Sequence, residues 1–149
     1  MGSMARSTNT QFAVAVHVLT YLAGVEGRPV SSDELSETAN VNPVYVRRVL
    51  APLREAGLVH SRPGLRGGWE LATGPHQISL AQIWKILQGS DPVLGLHGPD
   101  PACLIGRNVQ KSLTALDQRV AQAVAAELAQ FTVHDVASHD VGKPRQRGR

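Results

Sequence analysis

Apolar and polar positions alternate along most of this chain at helical spacing. Between Asn9 and Ala23, Phe12, Val16, Leu19 and Ala23 fall on one stripe, which Ala15, Val18 and Leu22 widen. That pattern predicts an amphipathic helix. A shorter helix is expected after Ser31, a candidate N-cap with Glu34 in capping-box position, and with Leu35 and Ala39 pointing inward. Asn40-Val41-Asn42 interrupts it. Asn42 then caps a second helix with Pro43 at its first position, where the missing N–H costs nothing. Val46, Val49, Leu50 and Leu53 recur at i, i+3, i+4 and i+7 and mark its inner face. Pro52 predicts a kink about one turn before the end of that helix.

The period then shortens. Gly57 reads as a left-handed helix stop, and Leu58-Val59 and Trp69-Glu70-Leu71 read as two strands. Between them, Arg62-Pro63-Gly64-Leu65-Arg66-Gly67-Gly68 forms a turn that glycine permits, with two arginines at its tip. Helix–turn–helix followed by a hairpin "wing" is how a small domain grips duplex DNA with one helix and one loop. Val44, Tyr45, Arg47 and Arg48 lie near the outer face of the second helix's N-terminal half. Base-reading side chains are needed there. Arg62, Arg66, Gly67 and Gly68 suit a loop laid beside phosphates or in a narrow minor groove. Taken singly, an arginine pair is commonly a solvated face and a glycine-rich turn only a turn. Their order and spacing carry the DNA-binding reading.

Three further segments follow. Ser79 caps a helix with Ile83, Trp84, Ile86 and Leu87 toward the core, ended by Gly89. Asp91 to Pro101 is rich in Pro and Gly and reads as a loop. A long helix then starts near Leu104 or Arg107 and reaches about Gln130, with Val109, Leu113, Leu116, Val120, Val124 and Leu128 as its stripe. Some 25 residues span roughly 35 Å, more than one side of so small a domain can cover. Burial within the chain is one reading; pairing with a symmetry mate fits a two-fold DNA reader better. Thr132 caps a last short helix, with Asp135 at the N3 position. The expected fold is mainly α with a small β-hairpin. A winged helix-turn-helix domain occupies 9–90, a loop 91–102, and a dimerisation helix with a short terminal helix 103–140. Residues 1–8 read as a tag remnant (Met1-Gly2-Ser3) and N-terminal arm, and 141–149 as a basic disordered tail.

Composition narrows the function classes. Of 149 residues, 15 are Lys or Arg and 12 are Asp or Glu, a net charge of +3. Lys143, Arg145, Arg147 and Arg149 sit in the tail, so the body is close to neutral and DNA affinity must come from local placement. No apolar run approaches the roughly 18 residues that span a bilayer, and no secretory signal is evident, so no membrane partner is expected. The single cysteine excludes an internal disulfide framework and fits the cytoplasm. No Ser/His/Asp set, phosphate loop or paired-carboxylate pattern suggests an enzyme.

The segment NPVYVRRVLAPLREAGLVHSRPGLRGGWEL, with ISLAQIWKILQG after it, resembles the Rrf-two family of bacterial winged-helix regulators. The resemblance runs from the helix at Asn9 to around Val136. It implies a homodimeric transcription factor, most often a repressor, acting on double-stranded DNA. It also implies that base contacts fall on Val44, Arg47 and Arg48, a backbone contact on Tyr45, and wing contacts within Arg62 to Gly68. Many members hold an iron–sulfur cluster on three cysteines in the segment after Gly89. Here those positions carry Asp91, His97 and Cys103, and one thiol is poor support for a cluster that needs mainly thiolates. No cofactor is therefore expected, although Asp91, His97 and Cys103 could hold a different metal. CLIGRNVQ resembles the corresponding segment of cluster-free, oxidant-responsive members, which implies a thiol switch at Cys103. A position at the start of the long helix favours thiolate, whereas Asp100 opposes it. The plainer reading is a small packing residue beneath the DNA reader. An unidentified small-molecule ligand, held between the reader and the long helix, is the remaining partner. A winged helix can also dock protein without touching DNA.

Overall fold

In the computed structural model, residues 8–25 and 27–142 are described. The arm up to residue 7 and the tail from 143 onward lie outside the described residues. Helix α1 (Thr8–Gly24) is the hub. It packs against α2 (Ser32–Ala39), α3 (Pro43–Glu55), α4 (Leu80–Gln88) and α6 (Val133–Ala137). Contact on several sides changes the face expected for it. Val14, Ala15, Val18, Leu19 and Leu22 are buried, while Phe12, Val16 and Ala23 of the expected stripe are only half-buried at the margin. A helix that is apolar around much of its circumference does not reveal from its own sequence which face lies deepest.

The junction between α2 and α3 is set by local hydrogen bonds. The Glu34 N–H donates to Ser31 Oγ at 3.1 Å, as expected for the cap. The reciprocal half of the box is replaced: the Glu34 carboxylate instead receives Tyr21 Oη–H at 2.6 Å and both terminal nitrogens of Arg28 at 3.1 and 2.9 Å. These bonds, first from Arg28 and then from Tyr21, hold the Glu34 carboxyl below its ordinary pKa. They also fasten α2 to α1. Asn40 takes a left-handed φ of 53°, its N–H bonded to the Glu37 carbonyl, and Val41 N–H returns to the Ser36 carbonyl. Asn42 Oδ1 then accepts from the N–H groups of Val44 and Tyr45 at 2.8 and 3.1 Å and starts α3.

Helix α3 continues through Pro52 for one more turn and ends at a Schellman motif. Gly57, at φ 81°, donates to Arg54 O, and Leu58 donates to Leu53 O. Strands β1 (Val59–Arg62) and β2 (Gly68–Leu71) pair antiparallel, from Val59 opposite Leu71 to Arg62 opposite Gly68. Val30 adds an isolated antiparallel bridge, bonding both ways with Trp69 at 2.9 and 2.7 Å.

After a single 3-10 turn (Pro75–Gln77), Ser79 caps α4 and Gly89 ends it. Gln88 is buried, and its side-chain amide donates to the carbonyls of Asp91 and Pro92. Asp117 of helix α5 (Leu104–Leu128) accepts from Leu94 N–H at 2.7 Å. The Pro/Gly loop is thus tied to both helices it joins. Thr132 and Asp135 complete the expected capping box of α6. The chain end is stitched to the start of α4 by Leu80 N–H to Phe131 O and Val133 N–H to Ile78 O, both 2.9 Å.

Candidate nucleic-acid interface

The core decides what α3 shows to solvent. Val46, Val49, Leu50 and Leu53 are buried, which turns Val44, Arg47 and Arg48 outward on the first two turns. Val44 stays 57% exposed although it is apolar. Tyr45 departs from expectation. It lies four residues before Val49, shares the inner face, and packs against the core with its hydroxyl buried. It supports the helix and does not reach for a phosphate.

The wing places Arg62 and Arg66 on its exposed rim. Arg62 lies 3.4 Å from Glu70, which also meets His60 at 2.9 Å. In the sequence Glu70 is no more than a strand residue, yet it faces His60 directly across the hairpin. An acidic residue opposite a basic one on a predicted hairpin was the available signal. It draws Arg62 toward the strand and leaves Arg66 at the tip. The two glycines have internal roles: a Cβ on Gly67 would lie 2.0 Å from Arg62 O, and one on Gly68 would lie 2.6 Å from the backbone of Val30. Their small size serves the close packing of the wing itself. Behind the wing, Trp69 bonds Ser32 Oγ through its indole N–H at 3.1 Å and carries the Arg54 guanidinium 5.6 Å from its ring centre. This fixes the hairpin against the helical pair.

Two exposed surfaces, the outer face of α3 and the rim of a braced wing, are the arrangement with which winged domains meet a duplex. The family model described as "Iron-dependent Transcriptional regulator", Rrf2, matches residues 8–139. The chain belongs to the Rrf2 family. Like its relatives it is a transcriptional regulator and not an enzyme. Among those relatives, YwnA of Bacillus subtilis, an HTH-type transcriptional regulator by name, is 33% identical over 88% of this chain and 97% of its own. CymR of Bacillus subtilis is 30% identical over 92% of both chains. Its solved structure, that of "the Global Cysteine Regulator", superposes with a TM-score of 0.64 over 93% of this chain and 98% of that one. A transcriptional regulator from Lactobacillus plantarum, 28% identical, gives 0.73 over 86% of this chain and 87% of its own.

The iron in the Rrf2 family description can be tested against the residues present. Among the described residues, no group of three or more His, Cys, Asp or Glu is placed to hold a metal ion. Asp91, His97 and Cys103 are not assembled into a ligand set within one chain, and a lone thiol does not fit an iron–sulfur cluster. Cys103 is exposed and is the N-cap of α5, its Sγ accepting from Gly106 N–H at 3.3 Å. Burial beneath the reader, the plainer reading of this thiol, is not what the chain shows.

The stripe expected for dimerisation divides in two. Leu113, Val120, Val124 and Leu128 are half-buried and share a face with Asp117, on the side of α5 that packs against α4 and the loop. The large apolar residues left outward are Leu104, Ile105, Val109 and Leu116. A helix that must cover its own domain and also meet a partner needs two apolar faces. The sequence pattern had merged them into one. Among the described residues, no helix is long and apolar enough to cross a membrane.

Proposed function

We propose that this regulator binds a near-palindromic operator as a homodimer and represses transcription, with α3 in the major groove and the wing beside it. The observation that carries this is the exposed row Val44, Arg47 and Arg48 on the first turns of a helix whose opposite face is fully buried. Guanidinium groups there suit guanine O6/N7, and Val44 suits a thymine methyl. The partner is a second copy, because α5 has no buried residue along its 25 positions. Ile105, Val109 and Leu116 form the seam, and two half-sites lie about 34 Å apart or a multiple of that. A winged module that only docks protein has no use for arginines at 47, 48, 62 and 66 on this side.

The reading extends to the signal. Exposed at the start of the proposed dimer helix, Cys103 is the oxidant-responsive group. Peroxide converts its thiol to a sulfenic acid with release of water, and reductant reverses the step. A second input, a small ligand, is favoured by one feature: a cavity of about 610 Å³ between α4 and α5. Trp84, Lys85, Gln88, Asp117 and Ala121 line it, and its size suits a small molecule. In either case the protein works without a cluster.

The test begins with selection of a duplex from a random pool, followed by binding titrations. Arg48→Ala should cost about 1–3 kcal/mol on the selected operator and relax one or two positions. Arg66→Ala should weaken all sequences alike and lower the salt slope by about 1. Equal, small effects of both would favour the docking module. Mild peroxide should weaken wild type reversibly and leave Cys103→Ser unchanged; equal loss in both would remove the thiol from the mechanism.

A further inference from the structure

The tip of the wing is a leucine. Leu65 is 107% exposed, and the next most exposed large apolar side chain among the described residues, Ile105, stands at 74%. Isolated surface leucines are ordinary, so exposure alone decides nothing. The backbone beneath this one does. Gly67 N–H donates to Gly64 O at 3.0 Å and closes a tight turn with Leu65 and Arg66 at its two corners. Both corner residues keep negative φ, and the strained positions fall on glycine instead, Gly64 at φ 98° and Gly68 at φ 147°. Gly67 and Gly68 are pressed against the backbones of Arg62 and Val30. The turn is therefore preformed, and it holds the leucine away from the domain.

The flanks of the turn say what Leu65 meets. Arg66 is the other corner of the turn, and Arg62, at the end of β1 and 3.4 Å from Glu70, precedes it; both are exposed, on the rim that the DNA reading lays beside the duplex. A minor groove is about 6 Å wide and walled by phosphates on both sides. Arg66 on one of those walls, with Arg62 behind it on the strand, brings the neighbouring Leu65 side chain to the groove floor. Leucine there has no hydrogen bond to offer to base edges. Apolar side chains inserted from the minor groove act instead as wedges that partly unstack a base step and bend the duplex. Pyrimidine–purine steps open most easily.

Resting on the DNA-binding reading above, we propose that Leu65 is a wedge. It enters the minor groove at a pyrimidine–purine step flanking each half-site and opens the stack. That step thereby becomes a specificity position read by deformability and not by hydrogen bonds.

The experiment uses the full chain and its selected operator, with 2-aminopurine placed in turn at each adenine of the flanks. Wild type should raise the fluorescence at one flank position per half-site, at a TpA or CpA step. Leu65→Ala should abolish that rise and lower affinity by about five- to tenfold, the low end of what one mismatched base pair costs. Leu65→Met, which keeps apolar length, should retain both. Changing TpA to ApA should weaken wild type and leave Leu65→Ala unaffected, since the two changes act through one contact. The tip packs against nothing, so none of these variants should alter the thermal unfolding of the free protein. Specific binding that still depends on Arg48, with no rise at any flank position or with a rise that survives Leu65→Ala, overturns the wedge alone. A chain that selects no duplex overturns the DNA reading and the wedge together.

Discussion

The DNA-reading half of the chain and its long helix solve the burial of apolar residues in opposite ways. In the reader, α1, α2, α3, the hairpin and α4 contribute Val18, Leu19, Leu35, Leu50, Leu53, Val59 and Ile83, among others, to one buried cluster. Helix α5 spans Leu104–Leu128 without one buried residue, and its Ile105 and Leu116 stand 74% and 48% exposed. The reader satisfies its own pattern within a single chain. The long helix carries apolar residues on a second face that a single chain leaves uncovered; the second copy proposed above would remove that surface from water on both chains. Folding is thus written in the reader, and the proposed pairing in the long helix.

Variants that separate the two regions should show it. Replacing Ile105 and Leu116 together by Glu places like charges on the proposed seam. It should leave a folded single chain whose operator affinity falls by about 10²–10⁴-fold, the advantage lost when two linked half-site contacts become one. Sedimentation and a binding titration would read both effects; an unaltered dimer would move the seam elsewhere. Leu50→Ala acts on the other region. It should cost about 2–5 kcal/mol in denaturant unfolding, because a fully buried leucine in α3 leaves a cavity. A loss well below that range would contradict the tight packing of Leu50 in that core.

The smallest effect tests the tie between α1 and α2. The Glu34 carboxyl is held below its ordinary pKa by Arg28 and Tyr21, so the folded state binds its proton less readily than the unfolded chain does. The stability this supplies is present above the ordinary value of 4.5 and is lost as pH falls through the lower folded value. Wild type should therefore exceed Glu34→Gln in stability near neutral pH, and the difference should shrink toward zero in acid. The gap is expected to be modest, since the pair is partly open to solvent. A gap that widens in acid would reverse the sign of the account.

Elements with local signatures were legible in the sequence. Asn42-Pro43, Gly57, Ser79 and the Thr132–Asp135 box each mark a helix end by groups within a few residues of one another, and the structure uses all of them. The outer face of α3 followed from its inner one. What the sequence left open depends on distant partners. Tyr45 lies near the boundary of the α3 stripe, and only the packing of the core turns it inward. Glu34 reads as a capping residue until folding brings Tyr21 and Arg28 to it. Glu70 gains its role from the hairpin register. Leu113, Val120, Val124 and Leu128 look like a seam because a single stripe does not say which of two neighbours it meets. The glycines of the wing read as room for DNA, and folding adds a second demand on them, room for Arg62 and Val30.

The central claim is that this chain reads DNA as a two-fold pair. Sedimentation equilibrium of the full chain, alone and with its selected operator duplex, tests it most directly. The account predicts twice the chain mass at micromolar concentration, and two chains on each duplex whose two half-sites lie about one helical turn, or a multiple of it, apart. A single chain in solution that binds one half-site at full affinity, with no gain from the second, would contradict it.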